Sequence, residues 1–208
     1  MSRCAVAAVG LVWSACAASA PATEGPSSPR GPDARGRVEP KSRGGPPASN
    51  KGRVGQAAHR FFLRTQNPER SGLERLDLNR WVGPGAEAPR TVVLSFAAND
   101  CAPCKKELSA LTERSDELQA TGAVFAVVVM DATADQRAQM LSFLNEQLQV
   151  PFPVVVDPPG QIVTRNYGVS SLPHTALVGP DGLIRWVSHG YTGPESLDAL
   201  FAAIRSAE

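Results

Sequence analysis

The chain has 208 residues, 42% of them hydrophobic and 20% charged, proportions that suit one soluble core of ordinary size and exclude a fibre or a membrane bundle. Lysine and arginine number 21 against 20 acidic residues, so the formal charge of +1 gives no global electrostatic case for a nucleic-acid partner. Four cysteines, at positions 4, 16, 101 and 104, are too few for a disulfide-dense secreted scaffold and fall into a leader pair and an interior pair.

The chain opens with one positive residue, Arg3, then an apolar run of small and branched residues to about Ala18, and no acid before Glu24. That pattern is a secretory signal over residues 1–20, with an apolar run too short to span a bilayer of roughly 30 Å as a stable helix. Two endings compete. Ala18-Ser19-Ala20 fits the small-x-small rule but puts Pro21 directly after the cut, whereas Trp13-Ser14-Ala15-Cys16 resembles a bacterial lipobox, in which Cys16 becomes the lipidated first residue. The lipoprotein ending is favoured, although Trp13 stands where an aliphatic residue is usual; Cys4 belongs to the leader in both cases.

Residues 21–55 carry seven prolines and seven glycines, no aromatic residue and almost no aliphatic one, so they cannot build a core and read as a disordered linker. Seven basic residues against three acidic ones give this tail +4, which leaves residues 56–208 at −4. A coil of this length spans about 30 Å or more, enough to hold a domain off a membrane anchor.

From residue 56 the chain reads as one alternating domain. The segment through Phe61, Leu73 and Leu78 has no clean period. Thr91–Ala97 is a compact β-branched and apolar strand, followed by Asn-Asp-Cys-Ala-Pro-Cys and then Leu108, Leu111 and Leu118 at helical spacing up to Gly122. Ala123–Val129 is apolar throughout, as a strand covered on both faces must be, and Thr133 with Gln136 forms a capping box before Met140, Phe143, Leu144 and Leu148. A short apolar run follows at Pro153–Val156. Thr175–Val178, the turn Gly-Pro-Asp-Gly and Leu183–Val187 read as a hairpin, and Leu197, Leu200, Phe201 and Ile204 mark a closing helix. No internal repeat and no glycine-rich phosphate loop is present.

Cys101-Ala-Pro-Cys104 sits where a buried strand turns into a helix. Unpaired N–H groups and the positive end of the helix dipole stabilise a thiolate there, so the first thiol should ionise below its free value of about 8.5 and act as nucleophile. Two intervening residues bring Cys104 close enough to resolve a mixed disulfide. Pro103 suits the first turn because its missing N–H has no helical partner there. Half of a zinc site would need a second cysteine pair or two well-placed histidines, and the domain offers only His59, His174 and His189. An inert structural disulfide and a pair of buried thiols are the other bland readings.

From about Leu76 onward the chain resembles the TlpA/ResA-like thiol-disulfide oxidoreductases of the thioredoxin superfamily. The residues that carry the likeness are Val92-Val-Leu-Ser-Phe, Cys101 to Glu107, Phe152 to Asp157, Tyr167-Gly-Val-x-x-Leu-Pro-His-Thr175 and Pro180 to Arg185. The resemblance implies an α/β thioredoxin-like fold, a central mixed sheet flanked by helices. It implies a cis peptide at Leu172-Pro173 facing the cysteines, with Leu172, Pro173 and Pro103 lining the substrate position, and a role for Glu107 in thiol ionisation and proton transfer. It implies thiol-disulfide exchange on disulfide-containing exported proteins, re-reduction by a membrane-embedded electron donor, no cofactor beyond the cysteine pair, a monomer, and a place in the bacterial periplasm.

Two departures stand out. Asp100 replaces the tryptophan usual before the first cysteine, and its charge should raise the thiol pKa and oppose strongly oxidising behaviour. Ser95 stands where cytosolic thioredoxins keep a buried acid, so their proton relay is expected to be missing. His174, read as a partly exposed strand residue, offers an alternative function in which Cys101, Cys104 and His174 carry copper without turnover, or in which the same thiols serve as a redox sensor.

Overall fold

The segment without a clean period folds as a small ribbon. In the computed structural model, which describes residues 52–157 and 162–207, Phe62–Arg64 (β1) pairs antiparallel with Arg75–Asp77 (β2), and the intervening Pro68–Ser71 (α1) forms one helical turn closed by Gly72. The leader, Cys4, Cys16 and nearly all of the tail lie outside the described residues. Asn67, buried ahead of α1, stitches this ribbon to the body: its amide donates to the carbonyls of Val150 (3.3 Å) and Phe152 (3.0 Å), and its oxygen accepts from the Val154 N–H at 3.0 Å. Packing on the domain begins within the stretch read as tail. The Gly55 N–H donates to the Ile184 carbonyl at 2.7 Å, and a Cβ on Gly52 would lie 1.9 Å from the Tyr167 carbonyl oxygen, an approach only glycine permits.

The apolar runs supply the main sheet. Val92–Ala97 (β3) leads through Ala102–Glu113 (α2) and Ser115–Ala120 (α3) to Val124–Val129 (β4). Ala134–Ser142 (α4) then continues into a wider turn over Phe143–Gln147 before Val154–Val156 (β5). Ile162–Asn166 (α5), His174–Val178 (β6), Ile184–His189 (β7) and Pro194–Ser206 (α6) complete the domain. The strands lie in the order β5-β4-β3-β6-β7; β3, β4 and β5 are mutually parallel, while β6 runs antiparallel to β3 and β7 antiparallel to β6. This is the mixed sheet with flanking helices that the sequence led one to expect.

Continuous apolar character in β3 and β4 follows from cover on both faces. On one face Val93, Ala97, Val127 and Val129 meet Leu108 and Leu111 of α2, Met140 of α4 and Leu197, Phe201 and Ile204 of α6. On the other, Val92, Leu94, Phe96 and Val128 meet Leu76, Leu78, Val163, Tyr167 and Ile184. Truncating a fully buried leucine such as Leu94 to alanine costs about 2–5 kcal/mol.

The helix expected to run unbroken to Gly122 is interrupted at Arg114, whose backbone leaves the helical region (φ −103°, ψ 23°). Its guanidinium is held by Glu117 and by Asp198 of α6, both at 2.8 Å, over the ring of Phe201. Contacts to a distant helix here outweigh local helix continuity. Thr133 caps α4 by accepting from the Gln136 N–H at 3.3 Å, the arrangement anticipated from the capping box. Among the described residues no helix is long and apolar enough to cross a membrane.

Candidate active site

At the end of β3 the chain turns over Ala98–Asp100 and enters α2 at Cys101. The turn is pinned from the neighbouring strand: both carboxylate oxygens of Asp131, just beyond β4, accept from the Asn99 N–H at 2.9 and 3.1 Å. Asn99 is tied further by Gln139 (2.8 Å) and by Lys105, whose ammonium donates to its side-chain oxygen at 3.1 Å. Asp100 remains exposed, its carboxylate accepting from the Gln136 amide at 2.7 Å. Burial raises the Asp131 pKa and outweighs the bonds from Asn99, with the charge of Asp100 acting in the same direction as burial.

Cys101 is the N-cap of α2, and its sulfur accepts the backbone N–H of Cys104 at 3.1 Å. The two cysteines form a disulfide across Cα atoms 5.2 Å apart. Cys101 is half-buried and Cys104 has no exposed surface, so an attacking group reaches the first sulfur and not the second. The same N–H groups that cap the helix would stabilise a Cys101 thiolate after reduction. Pro103 is exposed in the first turn, beside the reactive sulfur.

Leu172-Pro173 is a cis peptide. The antiparallel register sets His174 opposite Phe96, so Pro173 stands at the end of β6 nearest Ala97, the same end of the sheet from which Cys101 projects. Pro173 is buried and Leu172 half-buried against both halves of the core.

Glu107, three residues after Cys104 on the same side of α2, is 5% exposed. Its carboxylate accepts from Ser95 Oγ of β3 at 3.3 Å and from Thr175 Oγ1 of β6 at 3.2 Å. Burial pushes its pKa up to about 7, against the lowering effect of those two hydroxyls. Ser95 thus holds no acid of its own on β3, and a helix residue delivers the carboxyl onto it instead, a juxtaposition that sequence position alone does not reveal.

His174 also differs from expectation. It is 1% exposed, and alternation along β6 sends its ring to the face opposite Thr175, where it meets Phe96 edge-on at 5.5 Å and His189, with the two Nδ1 atoms 3.2 Å apart. Burial first, and the neighbouring His189 second, lower its pKa to about 4. The ring therefore does not join the cysteines, and among the described residues no three His, Cys, Asp or Glu side chains are grouped to hold a metal ion. Asp131 and Thr175 are the site residues that sequence reading missed. The signal available for Asp131 was its place just after a parallel strand; for Thr175 it was its place two residues after Pro173, at the end of the run that carries the resemblance.

This geometry agrees with what the chain is similar to. The AhpC/TSA family matches residues 54–187. The thioredoxin-like protein YneN of Bacillus subtilis is 28% identical over 136 residues, covering 65% of this chain and 71% of that protein. The thiol-disulfide oxidoreductase ResA of Bacillus thuringiensis is 27% identical over 125 residues, covering 60% of this chain and 66% of ResA, so the match spans about two thirds of these relatives. Among solved structures, one described as the thiol:disulfide interchange protein DsbE of Chlorobium tepidum superposes with a TM-score of 0.58 at 25% identity, over 74% of this chain and 97% of that one. StoA of Bacillus subtilis shares the fold, with a TM-score of 0.53 at 20% identity over 68% and 95% of the two chains. With a disulfide capping a helix at the end of a central strand and a cis proline beside it, the chain belongs to the AhpC/TSA family and is a TlpA/ResA-like thiol-disulfide oxidoreductase of the thioredoxin superfamily.

Proposed function

We propose that this oxidoreductase works as a reductase of disulfides in exported proteins, held near a bacterial membrane through Cys16, as a monomer and with no cofactor beyond Cys101 and Cys104. The observation that carries this reading is the placement of the disulfide: an accessible sulfur at a helix N-cap, a buried partner sulfur, and an acid of near-neutral pKa on the same helix face. In the reduced protein the Cys101 thiolate attacks one sulfur of a partner disulfide and expels the other as thiolate. The Cys104 thiolate then attacks Cys101 Sγ, re-forming the internal disulfide and releasing the partner's second thiolate, so two electrons pass to the partner. Glu107, half-ionised near neutral pH, takes the Cys104 proton as that thiol becomes the attacking thiolate. The partner strand lies along the backbone at Leu172-Pro173, with Pro103 at its edge. A membrane-embedded dithiol donor restores the reduced pair.

The test is the midpoint potential of the Cys101/Cys104 pair, measured on the full chain with Cys4→Ser and Cys16→Ser in graded dithiol/disulfide buffers, with Cys101→Ser as control. A reversible midpoint below about −200 mV supports a reductase; one near −120 mV marks an oxidant and overturns the proposed direction.

A further inference from the structure

The outer face of the β1–β2 ribbon breaks two local rules at once. Leu63 and Leu76 point inward, so the alternation of a strand pair puts Phe62, Arg64, Arg75 and Asp77 outward. Phe62 is 64% exposed, one of two large hydrophobic side chains left so open among the described residues. Arg64 and Arg75 stand directly opposite one another, a like-charge pair that destabilises a ribbon, and neither guanidinium has an ion-pair partner among the described residues. Asp77, the acid on this face, is occupied by the N–H and side-chain amide of Asn79 at 3.0 and 2.9 Å.

The charge around the ribbon has the opposite sign to the rest of the domain. Residues 60–80 hold five arginines against three acids, whereas residues 81–208 hold eight basic residues against fourteen acids. A bare aromatic ring two residues along from a facing pair of arginines, on a face that no described element covers, is what an anionic bilayer recognises: the ring enters the headgroup boundary and the guanidinium groups pair with lipid phosphates.

We propose that this face, built from Phe62, Arg64 and Arg75, docks the domain onto an anionic lipid surface. The inference deepens the reading of an exported, membrane-tethered exchanger and rests on it for its cellular setting. The ribbon cannot reorient freely, because Thr65 bridges to Val155 of β5 and Asn67 is bonded into the loop before it. Docking here therefore sets the orientation of the whole sheet relative to the membrane.

The test uses the full chain with Cys16→Ser, so that no acyl chain anchors it, and vesicles of phosphatidylcholine alone or with about a third phosphatidylglycerol. Phe62→Trp, compared with the parent, should show added quenching by lipids brominated in their acyl chains, in the anionic vesicles only. R64E/R75E should lower partitioning into anionic vesicles by about tenfold or more and leave partitioning into neutral vesicles unchanged. Unchanged partitioning of R64E/R75E, or no added quenching of Phe62→Trp, overturns the proposal. Loss of binding to poly-glutamate with unaltered vesicle partitioning assigns the patch to an acidic protein and overturns it as well. Disulfide-exchange activity of each variant, measured in parallel, reports folding and separates failure of this proposal from failure of the exchange reading.

Discussion

Glu107→Gln should change how stability depends on pH, because two buried groups oppose each other in the wild type. In the native protein Glu107 holds its proton up to about pH 7, against 4.5 for the free group, so across that window the folded state binds more protons than the unfolded state and stability falls as pH rises. The full loss, present above the folded pKa, is about 3 kcal/mol, since each pH unit of that window contributes about 1.4 kcal/mol. His174 acts in the other sense: its ring stays neutral down to about pH 4 instead of 6.5, so the unfolded state binds more protons there and stability falls as pH drops, by a similar amount. The windows overlap and nearly cancel. Glutamine keeps the shape and can still bond Ser95 and Thr175, accepting from one hydroxyl and donating to the other. The variant should therefore lose the alkaline penalty and expose the histidine slope, gaining stability at about 1.4 kcal/mol per pH unit between about pH 4.5 and 6.5. Urea unfolding of the oxidised protein at several pH values, followed by the emission of Trp81 and Trp186, gives the variant-minus-wild-type difference, in which all other titrations cancel. That difference should grow by about 3 kcal/mol from about pH 4.5 to 8. A difference that stays constant with pH would refute the raised Glu107 pKa and, with it, the proton-transfer role.

Two further outcomes follow from the geometry. Asn67→Ala leaves the Val150 and Phe152 carbonyls and the Val154 N–H without their buried partner, and should lower unfolding stability by about 2–4 kcal/mol in urea titrations at constant slope, with thiol exchange intact. Cys104→Ser removes the resolving sulfur while leaving Cys101 accessible, so incubation with a disulfide substrate should accumulate a mixed disulfide at Cys101, read by mass spectrometry and discharged by dithiothreitol; its absence would mean that Cys101 is not the attacking thiol.

Much of this protein is determined by short-range pattern. The β-branched runs Val92–Ala97 and Val124–Val129 have no polar face to expose, so they must be interior strands. Thr133 and Gln136 start a helix wherever they stand, and two cysteines three apart at a helix start meet for local geometric reasons. The spacing of Leu197, Leu200, Phe201 and Ile204 likewise specifies one buried stripe. Tertiary structure decided whatever depends on which segments become neighbours. Glu107 is an ordinary helix glutamate until β3 and β6 bring Ser95 and Thr175 over it; burial then moves its proton affinity to neutrality. His174 reads as a partly exposed strand residue until the fold buries its ring against Phe96 and His189, and Arg114 looks helical until α6 draws its side chain aside. The ribbon of residues 62–77 has no readable period because it is only two short strands wide, and its inward leucines are sorted from its outward arginines by packing against the sheet rather than by any rhythm of its own. Local geometry is written in neighbouring residues, whereas burial and electrostatics come from residues distant in sequence that only the fold brings together.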